Sequence, residues 1–302
     1  MMNRREFLRV GGALAAVGLA RPKLALVQTA GKEASRKKAK PGLRTITYNV
    51  LACRGYPKVD ANETLLTRAQ NQMATRVALE LALYEPDIVS FQESPSEKIV
   101  ASIAKQMGMR YVYFLGGWQG SLDWPGGFPG TIITRFNITE SENCPLIRGQ
   151  RPEKLFTRHW GRAVLQTDTE ELAFFSAHLH PSKKDIRALE VTEMLAVMEK
   201  ELRSGRSLLF QGDLNHKPDG PEYQRWADAG LMDMFAEKGV GQPFTIPSTT
   251  ATSRIDYIWA QGPIARRLRQ CRVLFEGAFR TNPDDPRSFA LSDHIPVMAT
   301  FD

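Results

Sequence analysis

Ser207-Leu208-Leu209-Phe210-Gln211-Gly212-Asp213 is a short apolar run that stops at a glycine and an acid. Runs of roughly four to eight apolar residues bounded by turn formers read as strands covered on both faces, so this run places Asp213 in a loop at a strand end. Upstream, Leu172-Ala173-Phe174-Phe175-Ser176-Ala177-His178 is a second run of the same kind, ending in His178. Between them, Ile186, Leu189, Met194, Val197 and Leu202 recur at helical spacing and predict a helix over 183–203. The same layout occurs earlier in the chain. Thr45-Ile46-Thr47-Tyr48-Asn49 leads into a stretch over 63–84 with Leu66, Met73, Val77, Leu81 and Tyr84 on one stripe, halted by Pro86. Ile88-Val89-Ser90-Phe91-Gln92-Glu93 follows. Two strand–helix–strand units indicate an α/β protein in which strand ends carry Asn49, Glu93, His178 and Asp213 to one mouth.

Further strands are expected over 131–134, 163–167, 255–260, 271–275 and 295–301. Residues 43–302 read as one domain, because the candidate site residues are scattered from Asn49 to His294 and need one common fold. The composition is that of a globular protein. Cys53, Cys144 and Cys271 are odd in number, far apart and without ligand spacing, which argues for buried or unpaired thiols over a disulfide framework or zinc site.

The formal charge of +7 invites a nucleic-acid reading, but its distribution does not support one. Residues 1–40 hold ten of the 40 Lys and Arg and two of the 33 acids, so the remainder carries 30 bases against 31 acids. That basic start has the form of an address. Arg4-Arg5-Glu6-Phe7-Leu8 precedes an apolar and glycine run from Val10 to Ala20, shorter than the roughly 20 residues needed to span a bilayer. The arginine pair resembles the twin-arginine export signal of bacteria. The expectation is a signal peptide over 1–30, a basic flexible linker over 31–42, passage through the Tat translocase, and a periplasmic or extracellular destination.

Taken singly, the polar motifs are weak: Phe91-Gln92-Glu93 also fits a solvated strand end, Gly212-Asp213-Leu214-Asn215 a turn, and His178 a satisfied strand-end histidine. As an ordered set they are specific. Asn49, Glu93, His178, Asp213 with Asn215, Arg254-Ile255-Asp256-Tyr257 and Ser292-Asp293-His294 each adjoin an expected strand, and Gly130-Thr131-Ile132-Ile133-Thr134-Arg135-Phe136 adds an apolar strand followed by Thr-Arg. The combination resembles the endonuclease/exonuclease/phosphatase superfamily, the fold of pancreatic deoxyribonuclease and bacterial sphingomyelinases.

That resemblance implies a four-layer α/β sandwich, two mixed sheets packed face to face and flanked by helices. It implies a monomeric, metal-dependent hydrolase that cleaves a phosphodiester by in-line attack of an activated water. The substrate would be a nucleic acid, a phospholipid head group or a small phosphodiester; a nuclease acting on DNA or RNA and a catalytically silent binding module are the alternatives. Asn49, Glu93 and Asp293 would hold Mg2+ or Mn2+, a hard cation suited to oxygen ligands. Asp213 would orient the water, Asn215 would fix water or phosphate, Asp256 would hold the His294 ring, and His178 would be a second donor. His159, His180 and His216 match no position of the set. The stretch Leu115–Pro129, LGGWQGSLDWPGGFP, departs from the family pattern. Its Trp118 and Trp124 would stack on a base or sugar, enter a membrane interface, or cover the core. No counterpart of the abasic-site nucleases' Tyr-containing phosphate contact is present, which argues against DNA repair.

Overall fold

The computed structural model describes residues 42–117, 127–146 and 154–302. The twin-arginine segment, most of the basic linker, Trp118 and Trp124 lie outside the described residues. The elements are β1 (Leu43–Asn49), α1 (Glu63–Ala69), α2 (Met73–Ala82), β2 (Ile88–Gln92), α3 (Glu97–Met107), β3 (Arg110–Phe114), β4 (Gly130–Thr134), β5 (Asn137–Asn143), β6 (Trp160–Gln166), β7 (Glu171–His178), α4 (Lys184–Arg203), β8 (Ser207–Asp213), α5 (Pro221–Asp228), β9 (Met232–Asp233), α6 (Met234–Lys238), β10 (Gly239–Val240), β11 (Asp256–Gln261), α7 (Pro263–Arg266), β12 (Leu268–Val273) and β13 (Val297–Phe301).

Two mixed sheets form the centre. One has seven strands in the order β10-β12-β13-β1-β2-β4-β3; the other has six, β5-β6-β7-β8-β11-β9. β1 runs parallel to β2, and β7 parallel to β8, because a helix-bearing crossover returns each chain to the same end. One core cluster joins α2, α3, the first sheet and the inner face of the second, through Val77, Phe91, Ile132, Phe174, Leu209 and Ile258. Another lies beyond the second sheet, where Phe175, Phe210 and Trp259 meet Met194 of α4 and Trp226 of α5. The layers are therefore helix, sheet, sheet and helix. Each fully buried Leu or Phe contributes roughly 1.5–3 kcal/mol, so a strand such as β8, buried along its whole length, is anchored from both sides.

Strand alternation explains how the site is positioned. In β7, Ala173, Phe175 and Ala177 join the helix-side core, whereas Leu172 and Phe174 face the other sheet. Further along that inner face, apolar residues give way to Ser176 and His178. β8 follows the same gradient through Leu209, Gln211 and Asp213. The intermediate polar level is satisfied across the sandwich: Thr45 Oγ1 donates to Gln211 Oε1 (2.8 Å), Gln211 Nε2 to the Ile46 carbonyl (2.8 Å), and Ser90 Oγ lies 2.7 Å from Ser176 Oγ. Buried polar groups that would each cost about 1–3 kcal/mol unpaired thus form a second, hydrogen-bonded floor below the site.

The stretch 63–84 divides into α1 and α2 around a 3-10 turn at Gln70–Gln72, with Leu66, Met73, Val77 and Leu81 buried as their spacing predicts. The α4 stripe differs from expectation. Leu189 is exposed, and the inward face carries Arg187, Glu190, Val191, Met194, Met198 and Glu201. These polar groups are tolerated because each is hydrogen-bonded: Arg187 Nε donates to Glu222 Oε1 (2.9 Å), Glu201 accepts from Arg162 and Arg206, and Glu190 accepts from two main-chain N–H groups.

Candidate active site

Five strand ends and two loops converge at one end of the sandwich. β2 finishes at Gln92, and Glu93 leaves it in a left-handed conformation, φ 48°. Asn215 does the same after β8, φ 52°. Such backbone costs an L residue about 1–2 kcal/mol and persists where the surroundings impose it. Gly212 is required for a different reason: a Cβ there would lie 1.8 Å from the Ala177 carbonyl oxygen of the neighbouring strand.

The geometry joins residues far apart in the chain. Asn49 Nδ2 donates to Asp213 Oδ2 at 3.1 Å, and Asn49 Oδ1 accepts from Leu51 N. Asp213 and Asp256 are register partners on adjacent strands. His294 Nδ1 lies 2.9 Å from Asp256 Oδ2, while His294 Nε2 lies 3.7 Å and His178 Nε2 3.3 Å from Asp213 Oδ2. Ser292 Oγ donates to the Asn49 carbonyl (2.7 Å), and Ser248 N donates to the Asp293 carbonyl (2.7 Å), which ties the Asp293-His294 loop to β1 and to the 245–253 hairpin. Asn215 Nδ2 donates to the Leu179 carbonyl at 3.0 Å, so the amide of Asn215 also braces the loop after β7.

The protonation of these groups follows from their surroundings. Burial opposes charge on His294, but the carboxylates of Asp256 and Asp213 reverse this and raise its pKa to about 10. Burial pushes the Asp213 carboxyl upward, with Asp256 and Glu93 adding like-charge repulsion. Burial, then the Arg158 charge, holds His178 well below the usual imidazole range; its contact with Asp213 is therefore made by a neutral ring, with Nδ1 unpartnered. Glu93 is raised by burial and by the charge of Asp293, and lowered by His294 and by a hydrogen bond from Asn49. Glu93 and Asp293 are half-buried, whereas Asp213, Asp256, His178 and His294 are buried.

Two donor sets are thus available to a cation. Asp213, Asp256 and His294 offer ligand atoms all within 4.8 Å of one another. A His294 held protonated has no lone pair to give, however, and its Nδ1 is committed to Asp256. Glu93 and Asp293 fit a hard divalent ion better: they are oxygen donors, and the two carboxylates repel each other at a partly open rim. Asn49, expected beside them as a third ligand, turns its Nδ2 to Asp213 and its Oδ1 to Leu51 N, so its oxygen joins the set only if the amide reverses.

The remaining histidines are structural. His216 stacks on Tyr257 (centroids 4.9 Å apart) and lies 3.2 Å from Trp226 Nε1; burial pushes its pKa down to about 4. His180 Nδ1 accepts from Ser182 N and Lys183 N before α4. His159, pushed to about 3 by burial, lies beneath His178 with Nε2 3.1 Å from Ser176 Oγ. Two groups had no sequence signal. Arg158 is close enough for its charge to act on Glu93, Asp213 and His178. Glu190 of α4 accepts from Phe156 N (2.8 Å) and His180 N (2.9 Å), fastening both loops beside the site.

A model described as the Endonuclease/Exonuclease/phosphatase family matches residues 46–294. Among curated proteins, the CCR4-Not complex 3'-5'-exoribonuclease subunit Ccr4 of Candida albicans is 26% identical over 169 residues, 44% of this chain and 22% of that protein. The chain spans about a fifth of the length of the curated relatives it matches. Among solved structures, a mannosyl-6-phosphatase of Bacteroides thetaiotaomicron superposes with TM-score 0.64 at 18% identity, covering 85% of this chain and 98% of that one. Truncated Caenorhabditis elegans TDP2 gives 0.60 at 18%, covering 86% and 97%. These likenesses show the two-sheet fold.

Proposed function

The chain belongs to the endonuclease/exonuclease/phosphatase family, and from that premise we propose that it is a divalent-metal-dependent phosphoesterase that prefers phosphodiesters. The observation that carries the reading is the convergence of Asn49, Glu93, Asp213, Asp256 and His294 at one sandwich end, with three hydrogen-bonded or electrostatic links across that cleft. Glu93 and Asp293 would hold Mg2+ or Mn2+, which supplies polarisation of a phosphoryl oxygen.

Asp213, buried and crowded by other carboxylates, is basic enough to orient a water and accept its proton during in-line attack. Asp256 fixes the His294 ring through Nδ1, leaving the charged Nε2–H to stabilise negative charge on the phosphoryl group. Neutral His178 has a single N–H, and with Nε2 turned to Asp213 it helps to orient that carboxylate. Asn215 and Asn49 hold the loops that carry these groups, and Asn49 Nδ2 orients Asp213 directly.

The similarity to an exoribonuclease over 44% of the chain favours a second reading, a nuclease acting on DNA or RNA. The test is the purified protein, with Mg2+ and with chelator, against duplex DNA, RNA, phospholipid, sphingomyelin and bis(p-nitrophenyl) phosphate. Metal-dependent cleavage of a diester, lost with chelator, is expected. Hydrolysis of none would leave a silent binding module on this fold. The chain is further proposed to be a monomer exported by the Tat translocase, on the strength of Arg4-Arg5 before a short apolar run. Equal periplasmic amounts of parent and Arg4→Lys, Arg5→Lys protein on fractionation would remove the export assignment.

A further inference from the structure

Arg158 differs from the other arginines that are partly or fully buried in this fold. Arg162 is bonded to Glu140 and Glu201, Arg187 to Glu222, and Arg254 to Asp233. Among the described residues no carboxylate pairs with Arg158, and its Nε is buried without a hydrogen-bond partner. A half-buried guanidinium with an unpartnered N–H is a binding element for an anion, since desolvation is compensated only when an acceptor arrives.

Its position is fixed from several sides. Gly117 N donates to the Arg158 carbonyl at 2.9 Å, and Phe156 N is held by Glu190. The guanidinium carbon lies 4.2 Å over the centre of the Phe128 ring, and that ring meets the His178 ring edge-on at 6.3 Å. His178 N donates to the carbonyl of His159, the next residue after Arg158. The aromatic platform therefore aligns the guanidinium beside the imidazole that approaches Asp213. The charge of Arg158 acts on Glu93 and Asp213 without bonding to either.

Resting on the phosphoesterase reading, we propose that Arg158 binds the non-bridging oxygens of the scissile phosphoryl group through paired N–H donors, from the β6–β7 side of the cleft. The planar fork matches two oxygens of a phosphoryl group at once, a geometry that a lysine ammonium does not reproduce. Arg158 is then a direct substrate contact that acts alongside His294.

The experiment uses the whole protein with Mg2+ and compares the parent with Arg158→Ala and Arg158→Lys. Turnover of bis(p-nitrophenyl) phosphate and calorimetric binding of inorganic phosphate are measured for each. Loss of one such donor should lower kcat/KM on the order of 100-fold in Arg158→Ala, and phosphate affinity should fall in parallel. Arg158→Lys should recover only part of both. Free guanidinium ion, on the order of tens of millimolar and far below denaturing concentrations, should restore activity to Arg158→Ala and leave the parent unchanged, which a purely packing role would not produce. If Arg158→Ala fails to fold, Arg158→Lys decides: unchanged phosphate affinity and turnover overturn the inference. A parent that hydrolyses no ester but binds phosphate in an Arg158-dependent way breaks the proposed function and keeps this contact. A parent that hydrolyses while both variants match it breaks the contact alone, and a parent that neither hydrolyses nor binds phosphate breaks both.

Discussion

Asp213, Asp256 and His294 form a buried cluster in which each group touches or faces another, whereas Glu93 and Asp293 stand half-buried at the rim with spare carboxylate oxygens. The buried side holds its protons through mutual contact and desolvation. The rim is open to solvent, which suits an ion that must enter, exchange and keep several waters. On the proposed reading, proton chemistry and metal chemistry are separated within one cleft, with the Asn49 side chain, bonded to Asp213, standing between them.

That contrast is broken most directly at Glu93. Glu93→Gln keeps the shape and removes the charge from a residue outside the core, so turnover with Mg2+ should fall on the order of 1000-fold while the melting temperature stays nearly unchanged. Calorimetric titration of Mg2+ should show correspondingly weaker binding. Ordinary turnover and metal affinity in this variant would move the metal to the buried cluster and erase the distinction.

The buried side should behave as one unit. Asp256→Asn and His294→Ala are each expected to cost about 100- to 10,000-fold in kcat, and the double variant should lose little beyond the worse single. A double loss equal to the product of the singles would show that the two residues act separately, despite their 2.9 Å contact.

Glu190 tests how far the cluster depends on its supports. Its two oxygens accept from Phe156 N and His180 N, and a glutamine can serve only one of them. Losing a hydrogen bond worth about 1 kcal/mol should reduce kcat/KM by about fivefold in Glu190→Gln. Burial raises the Glu190 carboxyl from its usual value to about 7. Folding therefore favours its protonated form, a contribution fully present below the unfolded pKa and lost as pH rises through the folded one. Relative to the parent, Glu190→Gln should gain melting temperature as pH goes from about 5 to about 8; a pH-independent difference would show that Glu190 is already ionised in the fold.

Some features were legible because they are local. β1, β2, β7 and β8 announce themselves as apolar runs that stop at a polar residue, and the α1–α2 stripe is buried at Leu66, Met73, Val77 and Leu81. Others had no such signal. β5 is the polar stretch NITESEN, an edge strand with mostly exposed side chains, so no apolar alternation marks it. α3 carries only a short apolar stripe, Val100, Ile103 and Ala104, although these are buried and Gly108 ends the helix in a left-handed conformation. The α4 stripe departs from its apolar spacing at Leu189, which is exposed, because the inward face bonds Arg187, Glu190 and Glu201 to partners elsewhere in the chain.

By itself the sequence determined that Asn49, Glu93, His178, Asp213, Asp256, Asp293 and His294 stand at or beside strand ends, since strand and helix periods are set by neighbours within a few residues. The tertiary structure alone decided which of them meet. Asn49 and Asp213 bond across 164 residues of chain, and Arg158 reaches the cleft only because β6 pairs with β7 and Phe128 folds over the same end. It also decided which groups carry charge. Burial and the approach of distant carboxylates, neither encoded within a local window, hold His294 protonated and His178 neutral, although each is a histidine beside an apolar run.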